Sequence, residues 1–151
     1  MAMALLVTVT AGCDRGDTAS APGAVPATIA LTITGADRRH VFRVEVAGTV
    51  EEQRRGLMFR PPLPDDGGML FAPYPPDGGA ARIASFWMKD TPSPLDIVFI
   101  RADRRIASIA ENTPPFSESP VASTEPVVAV LELRGGRSAE LGLAEGDRVA
   151  W

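Results

Sequence analysis

The sequence predicts an all-β domain, an antiparallel jelly-roll-like sandwich or partly closed barrel with one short helix after the first hairpin. Three observations carry this expectation. From Thr28 onward, apolar residues recur mainly at every second position in short runs. Clusters of Gly, Pro and Asp separate those runs as turns. Strand-like runs do not alternate with long helical stretches, as a parallel α/β sheet would require.

The elements follow in order. Ile29, Leu31 and Ile33 alternate with Ala30, Thr32 and Thr34, and Gly35-Ala36-Asp37 makes a turn. Val41, Arg43 and Glu45 then alternate against Phe42, Val44 and Val46, which completes a hairpin. Thr49 with Glu52 three residues on is a capping-box pattern, so a helix is expected to run to Phe59, before Pro61-Pro62. Asp65-Asp66-Gly67-Gly68 reads as a turn into a strand at Met69-Leu70-Phe71. Further strands are expected at Ile83–Lys89, Leu95–Arg101, Arg105–Glu111 and Val127–Leu133. Two proline-rich loops, Tyr74–Ala81 and Thr113–Pro126, lie between them; long loops in small domains are often functional. A helical turn at Ser138–Leu141 and a closing strand at Arg148–Trp151 end the chain.

The N-terminal residues carry an address. Met1–Thr10 is an uncharged, largely apolar run followed by Ala11-Gly12-Cys13. It is too short to span a bilayer, which takes about 20 apolar residues, and it suits the apolar region of a secretory signal. Residues 1–13 thus look like a lipoprotein signal with a lipobox-like cysteine, Cys13 being the lipidated residue. Asp14–Ala27 has hardly a large apolar group and reads as a disordered tether reaching roughly 20 Å. Residues 28–151 form the single domain. The expected location is the periplasmic side of the membrane, with lipid as the anchor. Radiolabelled palmitate should enter the wild type and not Cys13→Ala; equal labelling of both would remove the anchor.

Composition narrows the chemistry. The chain of 151 residues holds one Cys and one His, His40, too few for a zinc site or a Cys–His couple. Its formal charge of −4 carries no nucleic-acid footprint. No Gly-x-Ser-x-Gly elbow, phosphate-binding loop, dinucleotide fingerprint or EF-hand spacing occurs. No metal and no cofactor is expected. Met58, Met69 and Met88 sit among Leu and Phe and read as core rather than copper ligands. Lys, Arg, Asp and Glu remain as the functional groups of the domain.

The densest segment is Ser85–Ile100. On an extended strand Trp87 and Lys89 share one face, and Phe86, Met88 and Asp90 the other. Asp96 falls in line with Val98 and Ile100, an apolar face where an unpaired carboxylate is costly. It either caps turn amides, closes an ion pair that fixes register, or lines a polar pocket with Lys89 and Asp90 beside Trp87. Glu132 falls in line with Val128 and Val130; it either pairs with Arg134 or Arg148, or joins Asp96 as a glycosidase-like carboxylate pair. Arg55 is a further cation, on the expected helix.

Several motifs together resemble a known family. They are Arg55-Gly56-Leu57-Met58-Phe59-Arg60, Gly68-Met69-Leu70-Phe71, Phe86-Trp87-Met88-Lys89-Asp90-Thr91, Pro94–Ile100, Val130-Leu131-Glu132-Leu133 and Gly146-Asp147. Their order over about Ile33 to Trp151 is similar to that in the prokaryotic domain-of-unknown-function family 192. Asp90 stands where that family usually has Asn, which keeps an acceptor and loses an amide donor. The resemblance implies a small, jelly-roll-like β domain, often exported or membrane-attached, and no particular activity.

The leading functional expectation is a non-catalytic cell-envelope module that binds a glycan, peptide or protein partner. Its candidate residues are Arg55, Trp87, Lys89, Asp90, Asp96 and Glu132. One alternative is an envelope carbohydrate hydrolase or lyase using Asp96 with Glu132 or Lys89. The other is a structural or assembly subunit.

Overall fold

The computed structural model describes residues 27–151, so the expected signal, Cys13 and nearly all of the tether lie outside the described residues. Strands β1 (Thr28–Thr34) and β2 (Arg39–Ala47) form the expected hairpin, in register from Thr28 opposite Glu45 to Thr34 opposite Arg39. The Thr49 capping box then starts helix α1 (Val50–Arg55): Thr49 Oγ1 accepts from the Glu52 amide, and Glu52 Oε2 accepts from the Thr49 amide. The helix ends four residues before the expected Phe59. Gly56 takes a φ of 47°, a left-handed conformation that favours glycine and turns the chain away.

The remaining elements are β3 (Gly67–Phe71), β4 (Ser85–Phe86), β5 (Leu95–Ile100), β6 (Ile106–Thr113), β7 (Val121–Ala122), β8 (Ala129–Arg134), α2 (Arg137–Leu141) and β9 (Arg148–Ala150). Seven strands make one sheet in the order β6-β5-β8-β3-β2-β1-β9, while β4 and β7 pair separately. The large sheet curls into a half-barrel. Its two edges meet where Arg105 bridges Arg148, with the Ile106 amide bonded to the Asp147 carbonyl at 2.9 Å.

The sheet is mostly, not wholly, antiparallel. β3 runs parallel to β2, because α1 and residues 56–66 carry the chain back to the start of β2 before it re-enters the sheet. A strand expected at Ile83–Lys89 shrinks to Ser85–Phe86. Beyond it the Met88 amide bonds to the Ser117 carbonyl and the Thr91 amide to the Met88 carbonyl, which folds 88–91 into a turn.

Both faces of the sheet are covered. The concave face packs Leu31, Ile33, Phe42, Leu70, Val98, Leu131, Leu133 and Val149 inside the half-barrel. The outer face packs Met69, Phe71, Ile97, Phe99 and Val130 against Leu57 and Met88 from the covering loops. Burial on both sides explains why β5 and β8 read as nearly continuous apolar runs. Within such strands a polar residue stands out, and its face decides its partners.

Candidate functional site

Glu132 and Asp96 are both polar residues of central strands, and they point to opposite faces. On β8, Leu131 and Leu133 face the half-barrel interior, so Glu132 faces outward; it stands opposite Met69 of β3 and Ile97 of β5. On β5, Ile97 faces outward, so Asp96 faces inward.

Asp96 is fully buried and fully occupied. Its Oδ1 accepts from the amides of Asn112 at 2.7 Å and Gly136 at 2.8 Å, and its Oδ2 from the Ser138 amide at 2.6 Å. The carboxylate thereby joins the end of β6 to the turn that opens α2. Charge-assisted bonds of this kind offset the desolvation of a buried carboxylate. The expected Asp96–Glu132 pair does not form, and Asp96 does not line a cleft with Lys89. Both corrections follow from the two-residue period of a strand: Asp96 and Ile97 necessarily face opposite ways.

Glu132 is the reverse case. It is 4% exposed, and no hydrogen bond or ion pair reaches its carboxyl group among the described residues. Arg134, one of its expected partners, instead holds Asp65 at 2.7 Å and Glu140 at 2.6 Å on the surface. The other, Arg148, lies on β9, at the far edge of the sheet. Burial alone pushes the Glu132 carboxyl up to about 8.

The carboxyl opens into a slot of about 30 Å³, walled by Gln53, Arg54, Arg55, Leu57, Trp87, Lys89 and Thr91, among others. That volume admits about one or two water-sized groups. Three of its lining residues carry cationic side chains, yet none of them acts on the Glu132 carboxyl, which burial alone shifts. Arg54 and Arg55 extend from the last turn of α1, and Lys89 Nζ lies 5.4 Å from the centre of the Trp87 ring, a cation–π distance. Gln53 ties α1 down, its Nε2 donating to the carbonyls of Ala47 at 2.9 Å and Pro73 at 2.8 Å. Its Oε1 is fully buried, with no hydrogen-bond partner among the described residues.

Trp87 lines the slot, and two further exposed aromatics, Phe59 and Phe116, lie on loops bonded to the Asp90–Thr91 turn. Trp87 is 48% exposed, Phe59 76% and Phe116 63%. Phe59, Asp90 and Phe116 all have positive φ, of 61°, 52° and 58°. Their loops are bonded together: the Phe59 amide donates to the Asp90 carbonyl at 2.7 Å, and the Phe116 amide to the Thr91 carbonyl at 3.1 Å. Left-handed conformations at non-glycine residues cost energy and tend to cluster at functional sites. Beyond Trp87 a second, open groove of about 280 Å³ is lined by Ser85, Phe86, Trp87, Glu118 and Pro120.

Of the six residues expected from sequence, Arg55, Trp87, Lys89 and Glu132 meet at the slot. Asp90 shapes the loop beside it through its backbone, and Asp96 lies on the other face. Sequence reasoning missed Gln53, Thr91, Phe59 and Phe116. Phe59 and Phe116 carry no periodic signal in their loops, and only the folded chain shows them exposed.

Fold and site define a class: a small half-barrel β domain with an unpartnered carboxyl in a slot lined by Trp87, Arg54, Arg55 and Lys89. The chain belongs to domain-of-unknown-function family 192, described as Uncharacterized ACR, whose model matches residues 31–151. A crystal structure of a protein of unknown function from Novosphingobium aromaticivorans DSM 12444 is similar, with 43% identity and a TM-score of 0.78. The match covers 93% of this chain and 100% of that one. A second, from Sinorhizobium meliloti 1021 and described as a candidate transcription regulator, has 39% identity and a TM-score of 0.77. That match covers 85% of this chain and 97% of that one. No curated protein matches the chain.

Proposed function

We propose that this protein is a binding module of the cell envelope, held to the membrane through lipid on Cys13, and that the slot at Glu132 is its ligand site. One observation supports the site above all others: a 4% exposed carboxyl without a partner, opening into a cleft with cations on its walls. Folding alone disfavours such a group, because a buried polar atom left unpaired costs about 1–3 kcal/mol. A ligand that hydrogen-bonds it recovers that cost. The polar slot favours binding over a purely structural or assembly role, for which an apolar patch would suffice. The signal-like run before Cys13 and the tether behind it support the envelope location.

Trp87→Ala combined with Lys89→Ala should abolish ligand binding while moving the melting temperature by less than about 3 °C, because both side chains sit at the mouth rather than in the core. The check is to screen wild type and double variant against an immobilised panel of envelope-type glycans and peptides, alongside thermal melts. A panel on which both proteins bind alike, or on which the wild type binds nothing, contradicts the site.

A further inference from the structure

Building on that site, we infer that its ligand is an acidic saccharide chain, with one sugar hydroxyl in the slot and sugar carboxylates against Arg54, Arg55 and Lys89. Three independent features of the cleft converge on this class.

The first is the slot itself. It is about 30 Å³ and is lined by Glu132, whose carboxyl no hydrogen bond or ion pair reaches among the described residues. A hydroxyl both donates and accepts, so it can serve the Glu132 carboxyl whether or not that group keeps its proton. A phosphate or a peptide backbone is too large for that space.

The second is the rim. Sugar rings offer flat C–H faces flanked by polar edges, and exposed aromatic rings match those faces. Trp87 lines both the slot and the groove of about 280 Å³, so a chain with one unit at the slot has room to continue past the indole, with hydroxyls rather than a carboxylate toward Glu118. Phe59 and Phe116 are held outward on loops with positive φ, cross-bonded at Asp90 and Thr91. Their placement therefore does not depend on a bound partner. A peptide would more naturally add to a free strand edge. The two edges of the large sheet, β6 and β9, meet each other, and the β4–β7 pair at the groove offers only two residues per strand.

The third is charge. Arg54, Arg55 and Lys89 surround the mouth, and none forms an ion pair with another described residue. The one carboxyl among the slot's walls is buried Glu132. Three free cations on a chain of net charge −4 are a local feature, not a reflection of overall composition. The same acidic balance disfavours single-stranded nucleic acid, which would pair aromatic stacking with a broadly basic surface.

The test uses the folded domain and three probes: tetra-galacturonate, its full methyl ester, and an eight-residue oligothymidylate. Binding is followed by isothermal calorimetry and by the amide shifts of Trp87, Lys89 and Glu132. The acid should bind at least tenfold more tightly than the ester, with shifts at those three residues. Arg55→Ala and Lys89→Ala should each lower affinity for the acid more than for the ester, cutting the acid-to-ester ratio severalfold. Equal affinity for acid and ester overturns the acidic assignment. Tighter binding of the oligothymidylate, or no binding of either saccharide, overturns the saccharide class. A peptide captured from the panel at the same residues would overturn this inference alone and leave the ligand site standing.

Discussion

Glu132→Gln should stabilise the protein, and more so as pH rises. In the unfolded chain this carboxyl loses its proton near the ordinary value of 4.5, whereas burial in the fold raises it to about 8. Between those values the unfolded state is ionised while the folded state keeps its proton. The folded state binds more protons there, so wild-type stability falls as pH rises. Below pH 4.5 both states are protonated and the penalty vanishes; above 8 it is fully present, with an upper bound of about 5 kcal/mol. Glutamine nearly matches the protonated carboxyl in shape and does not titrate. The gain of the variant over wild type should thus be near zero at pH 4 and reach several kcal/mol at pH 9. For a domain of this size that is on the order of 10 °C in melting temperature. Urea unfolding of both proteins from pH 4 to 9 measures it. Parallel stability curves would mean that Glu132 is already ionised and paired in the fold.

Asp96→Ala should do the opposite. It removes the acceptors of three backbone amides, from Asn112, Gly136 and Ser138, at a residue that is fully buried. Each amide left unpaired costs about 1–3 kcal/mol, so the loss for three should lie at roughly 3–9 kcal/mol, lowering the melting temperature by about 10 °C or more. Asp96→Asn keeps one acceptor oxygen and should fall between. Hydrogen exchange should show the Gly136 and Ser138 amides losing protection first. A loss below about 1 kcal/mol for Asp96→Ala would contradict the capping role. The two acidic residues of the central strands therefore respond with opposite signs to losing their charge.

That contrast marks where the sequence was legible. The period of two and the Thr49 capping box identified the strands and α1, because those signals are local. The end of α1 at Gly56 was less clear, since Gln53, Arg54 and Arg55 are good helix formers and glycine only weakens a helix. The parallel pairing of β3 with β2 depends on how residues 56–66 return over the sheet, which no local pattern encodes. Asp96 and Glu132 were recognisable as misplaced charges on apolar strands. Their partners were not, because each is set by contacts between residues distant in sequence. Ser138 bonds Asp96 across 42 positions. Arg134, two residues from Glu132, turns instead to Asp65 and Glu140. Trp87 and Lys89 come together as the sequence suggested, though on a turn rather than a strand.

Half of the site came from motifs and half from folding. Arg55, Trp87, Lys89 and Glu132 lie in segments shared with the family, so their juxtaposition at one slot gives those motifs a common location. Gln53 lies outside those motifs, while Phe59 lies in the first of them and only the folded chain shows it exposed. Asp96 thus holds the core together from one face of the sheet, while the proposed ligand site is organised around Glu132 on the other.

The most direct measurement is a carbon-detected NMR titration of the Glu132 side-chain carboxyl, free and with tetra-galacturonate. A buried, unpartnered carboxyl at the floor of a ligand site should titrate with a midpoint near 8 in the free protein, far above the ordinary 4.5, and shift further when the ligand is present. A midpoint near 4.5 that the ligand leaves unmoved would contradict both its isolation in the fold and its place in the site.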